Sequence, residues 1–498
     1  MLRKQENSMP NNRTSGIHPN IHQNFKILSE QDLDKIHAAA MRILEKTGIR
    51  FDSPQAISLL ANAGAEINGS QVRIPAKIVE KAIQTAPSKV TLYARDPQKN
   101  LYLGQGCIHF SSGFGATWVR DLDTGLVRDA NLQDLVTFTR LAEALKLVHM
   151  VLFAVVPQDV PSRLRDVICT AEVLKNTTKH IQLSLESSET LDEVLNIART
   201  FVGKGDPLPI SAGGVPNSPL HYTEDVSTKF IRLARENVPC LIVTGCMAGA
   251  TGPVTLAGLL VQQTAEFLAG TVLHQLANPG APLIYGTFSG GFDMRYTKLA
   301  LGGPEISLIT CATQQLCERY QIPMGYATGG VTDSPVSDIQ TGIEKTFGVL
   351  SAAMAGVDVI HDAASGLLGA GMVSSLGQLI IDHDMCASIK YFLEGIPVSS
   401  RTLAEELISS TGPGGNYMLS DHTLTEFRKS LFITPIRARN LDPVNTSEPG
   451  SYLLVNANKQ AKKILDTFQP KPIAAQQLTE MDQIIEEARL LINKHTGG

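Results

Sequence analysis

The stretch IPMGYATGGVTDSPVSDIQTGIEKTFGVLSAAMAGVDVIH, Ile322 to His361, carries the fold in miniature. An apolar run, Ile322–Thr328, ends on two glycines, and apolar residues then recur at helical spacing over Ser337–Ala355. Gly356 stops that helix, and a second apolar run, Val357–His361, follows. A short apolar run bounded by turn residues reads as a strand buried on both faces, and two such strands joined through a helix form a parallel unit. The same unit recurs outward from this stretch. Runs at Ile108–Ser112, Val148–Pro157, His180–Leu185, Leu208–Gly213, Pro239–Cys246 and Pro282–Thr287 precede it. Helical periods over Leu132–Ala144, Pro161–Asn176, Thr190–Val202, Thr223–Glu236, Pro253–Ala277 and Pro304–Tyr320 separate them, and Leu376–Glu394 closes the series. Eight strands, each followed by a helix, predict an α/β fold, a (β/α)8 TIM barrel over residues 105–396, with a doubly wound open sheet as the alternative.

Around the barrel, residues 1–25 are polar and read as a flexible tail, without the apolar segment of a secretory signal. Residues 26–104 read as a mainly helical cap, with helices at 31–48, Pro54–Ala63 and Pro75–Thr85. Residues 397–498 read as a helical extension, with helices at 401–429, 456–467 and 475–494 and a connector at Pro435–Ser451.

The chain of 498 residues is 43% hydrophobic and 18% charged, which excludes disorder as its dominant state. Lys and Arg total 43 against 48 Asp and Glu, a formal charge of −5 with no basic run, so no nucleic-acid partner is expected. The 7 cysteines form no C-x-x-C pair and read as reduced, buried thiols. Val254–Leu276 is the longest apolar stretch, but Gln262, Gln263, Glu266 and His274 interrupt it, so no membrane span is expected. The expectation is a cytoplasmic protein, and a homo-oligomer.

In such a barrel the chemistry sits where strands end, and here those ends are rich in glycine and poor in charge. The glycines fit either turns or a backbone that approaches a flat ligand. The loops following the last two apolar runs occupy the usual phosphate-binding position, but neither contains Lys or Arg. No zinc or other metal motif occurs, and no G-x-S-x-G elbow. Glu266 and Glu305 are carboxylates on apolar helices and are the catalytic candidates, although Glu305, in a first turn, also fits a plain helix-dipole role.

Several segments, in order along residues 30–495, resemble the trimethylamine methyltransferase family of corrinoid-dependent enzymes. They are Ala327–Thr346, Ser218-Pro219-Leu220, Ala248–Val254, Ala265–Gly270, Tyr285-Gly286, Gly303-Pro304-Glu305, Gln378–Asp382 and the front helix His37–Gly48. The family has a barrel fold. Its founding members carry pyrrolysine where this chain has Val331, so the resemblance is to the non-pyrrolysine branch, whose members demethylate quaternary amines such as glycine betaine, proline betaine or carnitine. The loop at His361–Leu368 differs from relatives by one or two residues. The resemblance implies methyl transfer from a small quaternary amine to the Co(I) corrinoid of a separate corrinoid-binding protein. This chain has no D-x-H-x-x-G motif, so no cofactor of its own is expected.

Such a reaction needs no general acid, because a quaternary ammonium leaves as a neutral tertiary amine. Positioning and desolvation then carry the catalysis. Aromatic rings are the natural holders of a cation without a proton, which nominates Phe114, Tyr285, Phe288, Phe292 and Tyr326. Arg295, Lys298 or His361 could meet a substrate carboxylate. Gly329, Gly330, Val331 and Asp333 would face the corrinoid. Two rival readings stay open: a lyase or isomerase barrel acting on a phosphorylated substrate, and a non-catalytic betaine-binding relative.

Overall fold

The computed structural model describes residues 16–20, 25–439 and 452–496. Its centre is a ring of eight parallel strands: β1 (His109–Phe110), β2 (Met150–Val151), β3 (His180–Leu183), β4 (Ile210–Gly214), β5 (Cys240–Thr244), β6 (Leu283–Thr287), β7 (Met324–Thr328) and β8 (Val359–His361). Neighbours run β1-β8-β7-β6-β5-β4-β3-β2. The ring closes where Ser111 bridges to Met150, with the Ser112 N–H donating to the Met150 carbonyl at 3.0 Å. This is the (β/α)8 barrel that the alternation predicts. The helices are α1 (Leu132–Ala144), α2 (Ser162–Asn176), α3 (Leu191–Arg199), α4 (Glu224–Arg235), α5 (Leu256–Ala277), α6 (Pro304–Tyr320), α7 (Ile339–Ala355) and α8 (Leu376–Leu393).

Alternation along each strand sorts residues into two cores. Met150, Leu152, Leu241, Val243, Ile284 and Val359 fill the barrel's interior, and the hairpin Val90–Leu92/Leu101–Leu103 adds its four buried side chains to the same cluster. The hairpin plugs the barrel's N-terminal end, leaving the other end for chemistry. Outward-facing strand residues pack under the helices in the larger core.

α5 is buried almost all round because the front helices Glu30–Arg42 and Ala76–Thr85 pack on its outer face. That second layer explains the long apolar stretch. α5 is the one helix among the described residues long and apolar enough to cross a membrane, and 72% of its most apolar window is buried inside the protein. All seven cysteines are free and buried.

Two segments differ from expectation. Ile17, assigned to the tail, is buried and paired with Ile108, while 1–15 and 21–24 lie outside the described residues. The helix expected over 401–429 is three, Ser400–Leu403, Glu405–Thr411 and Asp421–Ser430: Ala404, left-handed with φ of 50°, makes the first break, and Gly412-Pro413-Gly414-Gly415, which cannot continue a helix, makes the second. The connector Pro435–Ser451 lies outside the described residues from 440 onward.

The loops after β7 and β8 share one anchor. Lys345 on α7 pairs with Asp382 on α8 at 2.7 Å, each side chain 1% exposed. The same carboxylate accepts from the backbone N–H of Ser365 (3.2 Å) and Gly366 (2.8 Å) and from Gln378 Nε2 (2.8 Å). Removing one partner strands a buried charge. Lys345→Met should therefore lower unfolding free energy by about 3–5 kcal/mol, and Asp382→Asn in the same chain should restore part of it. Denaturant midpoints of the two variants check this.

Candidate active site

At the C-terminal end of the strands lies a cavity of about 340 Å³, the size of a small-molecule site. Its aromatic wall is Phe114, Phe288 and Tyr326, and its polar wall is Gln182, Ser184, Thr328, His361 and Asp362. No lysine or arginine is among the lining residues.

Two glycines make the aromatic wall possible. A Cβ on Gly286 would stand 2.4 Å from Tyr326 Cβ, and one on Gly245 would stand 2.2 Å from the Phe288 ring. Inward positions without side chains thus leave room for the rings. Phe288 and Tyr326 lie 6.3 Å apart between centroids, and Tyr326 stacks on His361 at 3.6 Å. Burial raises the Tyr326 phenol above its ordinary range, so it stays protonated.

Asp362 organises the polar wall. It follows β8 with φ of 61°, a left-handed conformation unusual for aspartate. Three contacts hold it there: the Ser111 hydroxyl accepts from its N–H at 3.0 Å, and its carboxylate accepts from the Phe114 N–H at 3.1 Å and from His361 Nδ1 at 2.8 Å. On the other side of the ring, His361 Nε2 lies 3.4 Å from Gln182 Nε2. Gln182 Oε1 is buried without a hydrogen-bond partner, and the Thr328 side chain lies against the Tyr326 phenol.

Of the residues nominated from sequence, Phe114, Phe288, Tyr326, Val331 and His361 line the cavity. Tyr285 does not. It falls between inward-facing Ile284 and Gly286, so parity turns it outward to stack on Phe267 of α5 at 3.6 Å. Phe292 belongs to a rim strand, Gly290–Asp293, paired with Lys298–Leu299 outside the cavity wall. Arg295 is exposed on the connecting turn, where Asp293 holds it at 2.6 Å, and Lys298 is exposed as well.

Both catalytic candidates lie outside the cavity. Glu305 sits in the first turn of α6 with its carboxylate beside Gly303, a position that complements the helix dipole. Glu266 is wholly buried and accepts from Ser218 Oγ (2.8 Å), the Leu220 N–H (2.9 Å), Gln262 Nε2 (3.0 Å) and Cys246 Sγ (3.3 Å). It clamps the turn after β4. Burial raises its carboxyl above the usual range, against these hydrogen bonds.

The residues expected to face a corrinoid are mostly internal. Gly329 packs on the Gly348 backbone, and a Cβ on Gly330 would overlap the Asp362 carbonyl, so these glycines serve loop packing. Asp333 is half-buried, and its carboxylate accepts from the Leu301 (3.0 Å) and Gly302 (3.1 Å) N–H groups; burial, then Glu344 nearby, raises its carboxyl. Sequence reasoning missed Gln182 and Thr328 because they lie within strands, not after them. The available signal was the period-two polar set His180, Gln182, Ser184 in an otherwise apolar run, which marks an inward face.

The chain matches the trimethylamine methyltransferase (MTTB) family over residues 2–489. It is 33% identical to a glycine betaine methyltransferase of Desulfitobacterium hafniense strain Y51, over 82% of this chain and 86% of the relative. It is 31% identical to the trimethylamine methyltransferase MttB of Desulfitobacterium hafniense strain DCB-2, over 92% and 93%. The same identity, 31%, holds for MttB of Methanosarcina barkeri, over 96% and 98%. Among solved structures, the monomethylamine methyltransferase MtmB of Methanosarcina barkeri shares the fold, with a TM-score of 0.52 at 11% identity over 95% of this chain and 88% of that one.

The clamp role of Glu266 has a stability signature. Glu266→Ala should lower unfolding free energy by roughly 2–4 kcal/mol, since it strands several buried donors, and thermal melts should show it without any ligand present.

Proposed function

This chain belongs to the trimethylamine methyltransferase family, and from that premise we propose that it moves a methyl group from a quaternary amine to a corrinoid carried by a separate protein. The observation that carries this reading is the cavity wall, three aromatic rings and one carboxylate with no lysine or arginine beside them. Such a wall attracts a cation that has no proton to donate. Asp362 adds negative charge while its oxygens are already engaged by Phe114 and His361, so it favours a cation without needing a hydrogen bond from it.

Val331, at the position the family resemblance matches to pyrrolysine, puts only an apolar side chain into the wall and is 4% exposed. A valine cannot capture an amine through its lone pair. A quaternary ammonium needs no capture, because the methyl already has a neutral leaving group. The placement of Glu266 and Glu305 outside the cavity agrees with a reaction that requires no general acid. The mouth suits a flat macrocycle: Gly214, Val215, Ala370, Gly371 and Met372 present small or apolar groups there. The corrinoid, when bound, supplies Co(I), the nucleophile for the methyl. The chain's own residues hold and orient the ammonium and exclude water from it.

A phosphorylated substrate is disfavoured by the same wall, since nothing cationic in it would meet a phosphate. A homo-oligomer fits the exposed apolar stripe on α7, where Ile339, Ile343 and Phe347 follow one another on one face at 83%, 65% and 54% exposure. Sedimentation velocity should then show a species larger than one chain, and a monomer at all concentrations would remove this inference.

The protein mixed with reduced corrinoid and a panel of quaternary amines should consume Co(I), followed by its absorbance, with at least one of them. Asp362→Asn should cut kcat/KM about ten-fold or more, equivalent to ~1.4 kcal/mol. Trimethylamine reacting as fast as every quaternary amine would refute the assignment, and binding without Co(I) loss would point to a non-catalytic relative.

A further inference from the structure

The helical extension contains an arm with no core of its own. We propose that this arm, residues 396–431, joins two copies of the chain, each arm lying on the exposed α7 face of the other copy.

The chain leaves α8 at Gly395 and comes back to the same helix. On its return the Tyr391 hydroxyl donates to the Ser430 carbonyl at 2.8 Å, the Thr434 hydroxyl donates to the Asp384 carboxylate at 2.8 Å, and Arg437 pairs with Asp384. Between these points lie the helices Ser400–Leu403, Glu405–Thr411 and Asp421–Ser430, and none of residues 396–431 is buried. They are regular elements all the same. Ser399 and Thr402 form a capping box, Ser420 Oγ accepts from the Thr423 N–H at 3.2 Å, and Arg401 of the first helix pairs with Glu426 of the third. Helices this short are marginal in water alone and draw their stability from an apolar face packed on something else. That face is present: ten large apolar side chains of the arm are exposed, with Met418, Leu419 and Leu424 at 77%, 87% and 71%.

The chain's own segments outside the described residues do not suit as a cover. The three longest, MLRKQENSMPNNRTS (1–15), IHQN (21–24) and NLDPVNTSEPGS (440–451), are polar. Nor does a membrane surface, since residues 396–431 carry four acidic side chains against three basic ones. A protein that brings a cofactor to the cavity mouth sits at the wrong end. The Leu393 carbonyl, at the end of α8, accepts from the Asn20 N–H at 2.7 Å, and Ile17 just before it pairs with Ile108, the residue leading into β1. The arm therefore departs from the N-terminal end of the strands, opposite the cavity.

A second copy supplies what the arm needs. The α7 stripe of Ile339, Ile343 and Phe347 is the complementary surface, apolar and uncovered, but three side chains alone are too few for a stable interface. The arm and the stripe together offer on the order of 1,000 Å² of apolar surface per copy, against the roughly 800 Å² per partner of a standard interface. A two-fold axis satisfies both surfaces at once, because each copy then gives its arm and receives the other's. This inference is independent of the quaternary-amine reading.

Sedimentation velocity of the full chain should give a mass at least twice the 53.7 kDa of one chain. Leu419→Glu with Leu424→Glu, and separately Ile343→Glu, should each weaken the association about 100-fold or more, since each buries an unpaired charge in the interface. All three positions are exposed in the single chain, so far-UV circular dichroism should be unchanged. Hydrogen exchange of the wild-type chain tests the arm without any variant: amides of 400–430 should be protected at high protein concentration and lose that protection on dilution. A wild-type monomer at every concentration, an oligomer that survives either charged variant, or arm amides that exchange freely within an oligomer would each overturn the proposal.

Discussion

The ion pair of Lys345 with Asp382 is the constraint on which the site rests. Two charges removed from water are sustained only when the remaining valences are filled, and here the Asp382 carboxylate is shared between a lysine, an amide side chain and two backbone N–H groups. Because those N–H groups belong to Ser365 and Gly366, the carboxylate fixes the loop after β8 to the helices behind it. Ser365 in turn donates its hydroxyl to the Gly330 carbonyl at 3.0 Å, which brings the loop after β7 into the same assembly. Tyr326, Thr328, Val331, His361 and Asp362 all belong to these two strands and their loops.

On that foundation the cavity combines low dielectric with one negative charge. Asp362 is kept in a left-handed backbone conformation by partners just beyond β1 and on β8, through hydrogen bonds to Ser111, Phe114 and His361. Its carboxylate is oriented before any ligand arrives, so little reorganisation is needed when a cation enters. The aromatic rings are equally fixed, Tyr326 by stacking on His361 and Phe288 by the space that Gly245 leaves for it.

The glycine-rich strand ends had two readings, turns or close approach of a flat ligand, and at Gly245 and Gly286 the structure supplies a third. These residues yield volume to neighbouring aromatic side chains. Gly329 and Gly330 yield it to backbone. Composition reports that small residues gather at the rim, but it does not report which neighbour needs the space.

The barrel is legible in local sequence patterns. Apolar runs and helical periods are local properties, and each of the eight strands and eight helices falls within or beside the segment that its pattern marks. The region of the site is legible too, since chemistry in this fold gathers at strand ends, which marks Phe114, Phe288, Tyr326 and His361, whereas Val331 is reached only through the family resemblance. Which side chains converge depends on strand pairing and packing across the fold. Tyr285 and Tyr326 look alike in sequence, but one faces a helix and the other the cavity, because strand parity and the register shift at Tyr285/Gly286 are set by pairing with distant strands. Glu266 and Glu305 carry the same residue type as a catalytic carboxylate, and their roles are fixed by the turn one clamps and the helix the other begins. Gln182 and Thr328 line one cavity only because barrel closure brings β3 and β7 around a common space. Contacts between residues so far apart in the chain depend on how the ring closes, which no local pattern encodes.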